Sequence, residues 1–248
     1  MTSTTVYLIS GANRGIGFGL VKSLVLRENV VIFAGARDVP GATNLQALAQ
    51  EYPGKVHIVK LFSGSKEDGD AAAALVEIVA GHIDVVIANA AIASAWAPVH
   101  EISIDEMDRH FKVNAIGPLV LFQSFYKMFK SAPGTPKFVV ISAAAGSIQG
   151  GPAVPMGLVA YGSSKAAVNF ITRKIHFENE NLISFAVHPG SVETEGAKQL
   201  VKLVPELAKF PKMPVEQSVD GILARIDGAT REKTGGAFLS YKGDTFPW

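Results

Sequence analysis

The chain of 248 residues contains no cysteine. That absence removes disulfides, thiolate nucleophiles and cysteine-ligated metals together. A block of one charge is also missing: 23 Lys and Arg against 22 Asp and Glu leave a net charge of +1, scattered along the sequence. Nucleic acid and membrane surfaces are therefore not expected partners, because both are gripped by clustered cations. No apolar run is long enough to span a bilayer; the longest, from Ile83 to Ala97, is interrupted by Asp84 and Asn89. The six histidines (His57, His82, His100, His110, His176 and His188) never fall at a metal-ligand spacing such as i, i+4, and no metal site is expected. Residues 1–5 have no leader character, and no repeat or low-complexity stretch divides the chain. The expectation is one soluble, cytoplasmic domain over residues 1–248.

What is present is an alternation of short apolar runs with longer helical patterns. TVYLIS, NVVIFAGA, KVHIVKLF, IDVVIANA, KFVVIS, LISFAVHP and GGAFLSY are rich in Val and Ile, as strands buried on both faces are. Between them the period suits helices at residues 15–27, 44–51, 66–81, 104–131 and 161–179. Strands alternating with helices predict a doubly wound α/β fold of the Rossmann type, with about seven parallel strands. Residues 194–214 break the rhythm. There Leu200, Leu203, Val204, Leu207 and Phe210 share roughly one helical face. Two readings are open: a substrate lid, or an ordinary amphipathic helix packed on the core.

Gly11, Gly15 and Gly17 directly follow the first strand and open a helix. Glycine permits a tight turn and a close backbone approach, and a helix N-terminus stabilises a pyrophosphate's charge. Structural turns use the same residues, but placement after a buried strand favours a ligand. At the end of the second strand an NAD enzyme carries a carboxylate for the adenosine ribose. Here Gly35, Ala36 and Arg37 stand instead, with Arg14 in the glycine turn. Two guanidinium groups suit a 2′-phosphate and hence NADP(H), unless Asp38 turns inward. Further along, Tyr161 and Lys165 stand at i, i+4 on one helix face. A neighbouring ammonium lowers a phenol's pKa and makes it a usable general acid or base.

Over essentially its whole length the sequence resembles the short-chain dehydrogenase/reductase family. Gly11, Gly15, Ile16 and Gly17 match that family's T-G-x-x-x-G-I-G turn, with Ser10 in the threonine place, and Tyr161 and Lys165 match its Y-x-x-x-K pair. Asn114 matches the asparagine of a proton relay, and HPGSVET matches P-G-x-V-x-T. The wording is similar to fungal ketoreductases of secondary metabolism. The resemblance implies hydride transfer between NADPH and a carbonyl, with Tyr161, Lys165 and Asn114 as the catalytic set and Ser142 a further candidate. It implies cofactor contacts from Gly11, Asn13, Arg14, Gly15, Ile16, Gly17, Arg37, Asn89, Tyr161, Lys165, Val192 and Thr194. An apolar small-molecule substrate and a homodimer or homotetramer follow by the same analogy.

The pattern also departs from the family. The catalytic serine stands three places before a glycine, which here lands on Ala143; Ser142 is one residue early and, by strand alternation, faces away from the pocket. Ser147 lies beyond the glycine. Ala88 and Ala91 replace an asparagine and a glycine of the family's N-N-A-G, and Phe62 takes the place of an aspartate that contacts adenine. Trp96, Met156 and Ser191 are candidate pocket walls. Two functions are compatible with this set: an NADPH-dependent reductase of a bulky apolar carbonyl or imine, or a reductase-like scaffold reused for non-redox cyclisation or isomerisation of a secondary metabolite.

Overall fold

A computed structural model describes residues 4–154 and 156–248, the Leu203 side chain excepted. Seven strands form one sheet, β1 (Thr5–Ile9), β2 (Val30–Ala36), β3 (Val56–Lys60), β4 (Val85–Ala88), β5 (Lys137–Ile141), β6 (Ile183–His188) and β7 (Phe238–Ser240). All pairs are parallel and the order is 3-2-1-4-5-6-7. The doubly wound reading is borne out. Strand order reverses between β1 and β4, the place where such sheets open a crevice at their carboxyl ends.

Alternation along each strand feeds two cores. Tyr7, Ile9, Ile32, Val139, Phe185 and Val187 point to one face, where α1 (Gly15–Leu24), α2 (Thr43–Glu51) and α8 (Val215–Asp227) bury Leu20, Leu45 and Ile222. Val6, Leu8, Phe33, Phe138 and Val140 point to the other, covered by α3 (Lys66–Ala80), α5 (Gly117–Phe129) and α6 (Val159–Glu178) through Val76, Phe125 and Val168. Short helices α4 (Ile104–Phe111), α7 (Glu195–Leu203) and α9 (Arg231–Thr234) complete the chain. No helix among the described residues is long and apolar enough to cross a membrane.

Three elements differ from the sequence reading. The helix expected over 104–131 runs continuously from Ile104 to Phe129, but α4 passes into α5 through a π turn at Lys112–Ile116 that contains Asn114. Helix α8 was not anticipated, because Gly221 interrupts its period; a Cβ there would lie 2.7 Å from the Tyr241 carbonyl oxygen, so the glycine permits close packing. In 194–214, α7 stops at Leu203 and Pro205 starts a separate 3₁₀ turn, so no continuous helical face forms. Among its described side chains, Ala197, Leu200 and Val201 are only half-buried.

The β1–β4 junction is held by Ser10, whose hydroxyl accepts the N–H groups of Asn89 and Ala90, both at 3.0 Å. Ser10→Ala leaves both donors without that acceptor, at a cost of about 1–3 kcal/mol for each one left unsatisfied. The urea midpoint is expected to fall, with Ser10→Thr restoring it. An unchanged midpoint in the alanine variant would show that the two amides find other partners.

Candidate active site

The glycine turn forms where β1 leaves the sheet. Gly11 (φ +63°) and Gly15 (φ +55°) adopt the left-handed backbone that other residues resist. Gly17 is required by proximity: a Cβ would lie 2.2 Å from the Gly11 carbonyl oxygen. The Asn89 side-chain amide donates to the carbonyls of Ser10 and Gly11, both at 3.0 Å, and fixes the turn from β4. The first turn of α1 has no side-chain cap and no acidic residue. Its N–H groups and the positive end of its dipole therefore face the groove without competition.

Around this turn, Asn13 and Ile16 are half-buried and Arg14 and Arg37 are exposed. Neither arginine has an ion-pair partner among the described residues. The Asp38 carboxylate accepts the Gly41 N–H at 3.2 Å, so it serves its own loop. Thr194 closes the other side, its methyl 3.3 Å from where a Gly15 Cβ would stand, while its hydroxyl caps α7 by accepting the Ala197 N–H. Val192 is buried and bridges to Met213. Ala91 is exposed, and Phe62 is 38% exposed with its N–H on the Asp68 carboxylate. Neither is buried as a plug in the groove would be.

Tyr161 lies in the first turn of α6 and Lys165 one turn later, its ammonium 5.8 Å from the Tyr161 ring centroid. Lys165 is buried, and its Nζ donates to the Ile141 carbonyl at the end of β5 at 2.8 Å. Burial pushes Lys165 down to about 8 and Tyr161 up to about 12. The expectation that the lysine holds the phenol low is therefore corrected for the unliganded protein. Lys165 is buried and Tyr161 half-buried, the ammonium is directed at Ile141, and desolvation outweighs the attraction between them.

Asn114 joins that helix to the loop after β4. Its Oδ1 accepts the Ile92 N–H at 2.8 Å, and its Nδ2 donates to the Ile92 carbonyl at 2.9 Å and the Ser164 hydroxyl at 3.0 Å. Ser164 in turn donates to the Tyr161 carbonyl at 2.7 Å. Ser142 is buried and donates to Asn169 Oδ1 at 2.6 Å, pointing along α6 as strand alternation anticipated. Ala143 is extended, followed by a 3₁₀ turn at Ala144–Gly146. The Ser147 hydroxyl accepts the Gly150 N–H, and the Ala144 N–H goes to Nδ1 of His188, which burial holds down to about 4. Sequence reasoning missed Ser164, Asn169 and His188 as neighbours of the site. Only their spacing from Tyr161 or from Pro189–Gly190 offered a signal.

Residues 92–97 run from Asn114 to the head of α6. Ala97 donates to the Gly157 carbonyl at 3.2 Å and bridges to Leu158, the residue that opens α6. A Cβ on Gly157 would lie 2.5 Å from Ala97 backbone atoms, so this contact depends on glycine. The Trp96 indole N–H is pinned to the Ala93 carbonyl at 3.3 Å. Met156 is half-buried and Ser191 exposed.

These environments fix a pH dependence. Lys165 sits below the ordinary 10.5, so its contribution to stability is present above that value and is lost as pH falls towards 8; Tyr161 sits above 10, so its contribution is lost as pH rises from 10 towards 12. Urea midpoints of the unliganded protein at pH 7.5 and 10 are expected to show a smaller gain with pH in Lys165→Met than in the wild type. Equal gains would show that the buried ammonium titrates normally.

Residues 5–203 match the family model described as short chain dehydrogenase. The norsolorinic acid ketoreductases of Dothistroma septosporum and Aspergillus parasiticus are each 38% identical to this chain; the matches cover 98% of it and 92% and 91% of those proteins. The NADPH-bound carbonyl reductase from chicken fatty liver superposes with a TM-score of 0.87 at 30% identity, covering all of both chains. The Sniffer carbonyl reductase of Drosophila melanogaster, at 24% identity and a TM-score of 0.86, shows the same fold over both full lengths. With a seven-stranded parallel sheet, a glycine turn at its crest and a Tyr–Lys pair beside it, the chain belongs to the short-chain dehydrogenase/reductase family and is an oxidoreductase.

Proposed function

We propose that the protein is an NADPH-dependent reductase of a bulky apolar carbonyl or imine compound, in the chemistry of secondary metabolism. One juxtaposition carries the reading. The glycine turn follows the carboxyl end of β1, and Lys165 is tied to the carboxyl end of β5, with only β4 between those strands. A dinucleotide lying along this crest reaches both.

The cradle fits such a group: its glycines leave no room for side chains, the start of α1 is uncapped, and two unpaired guanidinium groups lie at its rim. Gly11, Asn13, Gly15, Ile16 and Gly17 would hold the pyrophosphate, and Arg14 and Arg37 the 2′-phosphate. Asn89, Val192 and Thr194 would line the path towards the nicotinamide, and Lys165 would hold its ribose. Bound there, the cofactor supplies the hydride. Tyr161 gives its proton to the substrate oxygen; burial raises its pKa in the unliganded protein and makes it a weaker acid, so the transfer depends on the neighbouring ammonium to stabilise the phenolate that forms. The buried ammonium of Lys165 then faces the phenolate, and Asn114 keeps the helix and the loop in register. Exposed Ile116 just before α5, Tyr126 on α5, and Phe170 and Phe177 on α6 support pairing of two or four copies across those helices.

Titration of the purified protein by fluorescence is expected to give tight, saturable binding of NADPH and weaker binding of NADH. Tyr161→Phe is expected to abolish turnover while binding NADPH as before. No binding at millimolar NADPH would overturn the reductase reading in favour of non-redox use of the scaffold. Because Ala143 stands where the family serine would donate to the oxyanion, Ala143→Ser is expected to raise kcat, by up to about 10²–10³-fold if the hydroxyl reaches the substrate oxygen. An unchanged kcat would show that the oxyanion has another donor.

A further inference from the structure

The sequence reading passed over His110, yet its ring is fully buried and both nitrogens are committed. Nδ1 lies 2.7 Å from the Glu106 carbonyl, an acceptor, so it carries the proton. Nε2 accepts the Ser94 backbone N–H at 3.2 Å, so it carries none. Only the neutral Nδ1–H tautomer satisfies both partners. Glu106, one turn earlier on α4, accepts the Ser94 hydroxyl at 3.3 Å and lies 3.5 Å from Nδ1. Asn114, four residues on, holds Ile92 by both its N–H and its carbonyl.

Residues 106, 110 and 114 thus act as three rungs, the first two on Ser94 and the third on Ile92. In an unbroken α-helix, residues four apart drift by about 40° per step, so the third rung would turn away from the segment. The π turn at Lys112–Ile116 takes up that drift and lets Asn114 reach Ile92. The held segment leads to Trp96 and to Ala97, which is paired with Gly157 and Leu158 at the head of the helix bearing Tyr161.

We propose that His110 is a positioning residue for the substrate wall: by accepting the Ser94 N–H it sets where Trp96 and Ala97 stand relative to Tyr161, and so how tightly a bulky substrate is held. This rests on the reductase reading for its substrate consequence, but not for its structural one. Among the described residues His110 shares no hydrogen bond with the glycine cradle, so its removal is expected to leave NADPH affinity unchanged.

Two conservative variants separate this role from that of a buried ring. His110→Gln places an amide oxygen where Nε2 stood and keeps the acceptor for Ser94. His110→Asn places its amide near Nδ1 and falls short of Ser94. Exchange of the Ser94 amide proton, read by NMR, is expected to accelerate at least about tenfold in the asparagine variant and to stay near wild type in the glutamine variant. With 9,10-phenanthrenequinone as a rigid aromatic probe substrate, KM is expected to rise about tenfold in His110→Asn while kcat stays within about twofold. The glutamine variant is expected to restore KM, and both variants to bind NADPH as the wild type does. Unchanged Ser94 exchange in His110→Asn, equal damage in both variants, or a fall in kcat at constant KM would each overturn the proposal. A wild type that fails to bind NADPH would overturn the reductase reading instead, and Ser94 exchange would still decide whether His110 holds the loop.

Discussion

Where β1 meets β4, the site depends on a contact that tolerates no side chain. The Gly17 backbone rests against the Gly11 carbonyl, and the Asn89 amide bridges the carbonyls of Ser10 and Gly11. This closeness brings the start of α1 to the crest of the sheet, where its first N–H groups open onto the groove. It also ties the loop after β4 to the same crest, since Ser10 takes the amides of Asn89 and Ala90. From there the chain runs to Ile92, Ser94 and Ala97, and so to the helix of Tyr161. The glycine turn and the start of the Tyr161 helix are thus joined by one continuous backbone path.

The second constraint is desolvation. Lys165 is buried with one donor spent on Ile141, and among the described residues no hydrogen-bond partner is seen for the Tyr161 hydroxyl. In this state the phenol is a reluctant acid, so its proton transfer leans on the neighbouring ammonium of Lys165. Serine hydroxyls near the tyrosine are occupied elsewhere: Ser142 bonds Asn169, and Ser147 closes its own turn.

The strands and their parallel order were legible because burial on both faces demands continuous Val- and Ile-rich runs, and each of the seven runs became a strand. The glycine turn and the Tyr–Lys pair were legible because their chemistry is local in sequence. Asp38 was ambiguous until its loop showed the carboxylate on Gly41. The π turn at Asn114 was not legible, since apolar periodicity ran through it and the irregularity answers to contacts with residues 92–94. His110 was hidden for the same reason: a histidine inside a helix carries no signal until its tertiary partners, Ser94 above all, are seen. The lysine's effect on the tyrosine was misjudged because spacing fixes proximity, whereas burial fixes the direction of a pKa shift.

The account is tested most directly by the path of one hydrogen atom. Incubating the protein with a bulky aryl ketone and NADPH deuterated at C4 of the nicotinamide, one face at a time, should give an alcohol carrying deuterium on the former carbonyl carbon from one face only. A product free of label from both faces, or label from both alike, would contradict a hydride delivered along this crest to a carbonyl beside Tyr161.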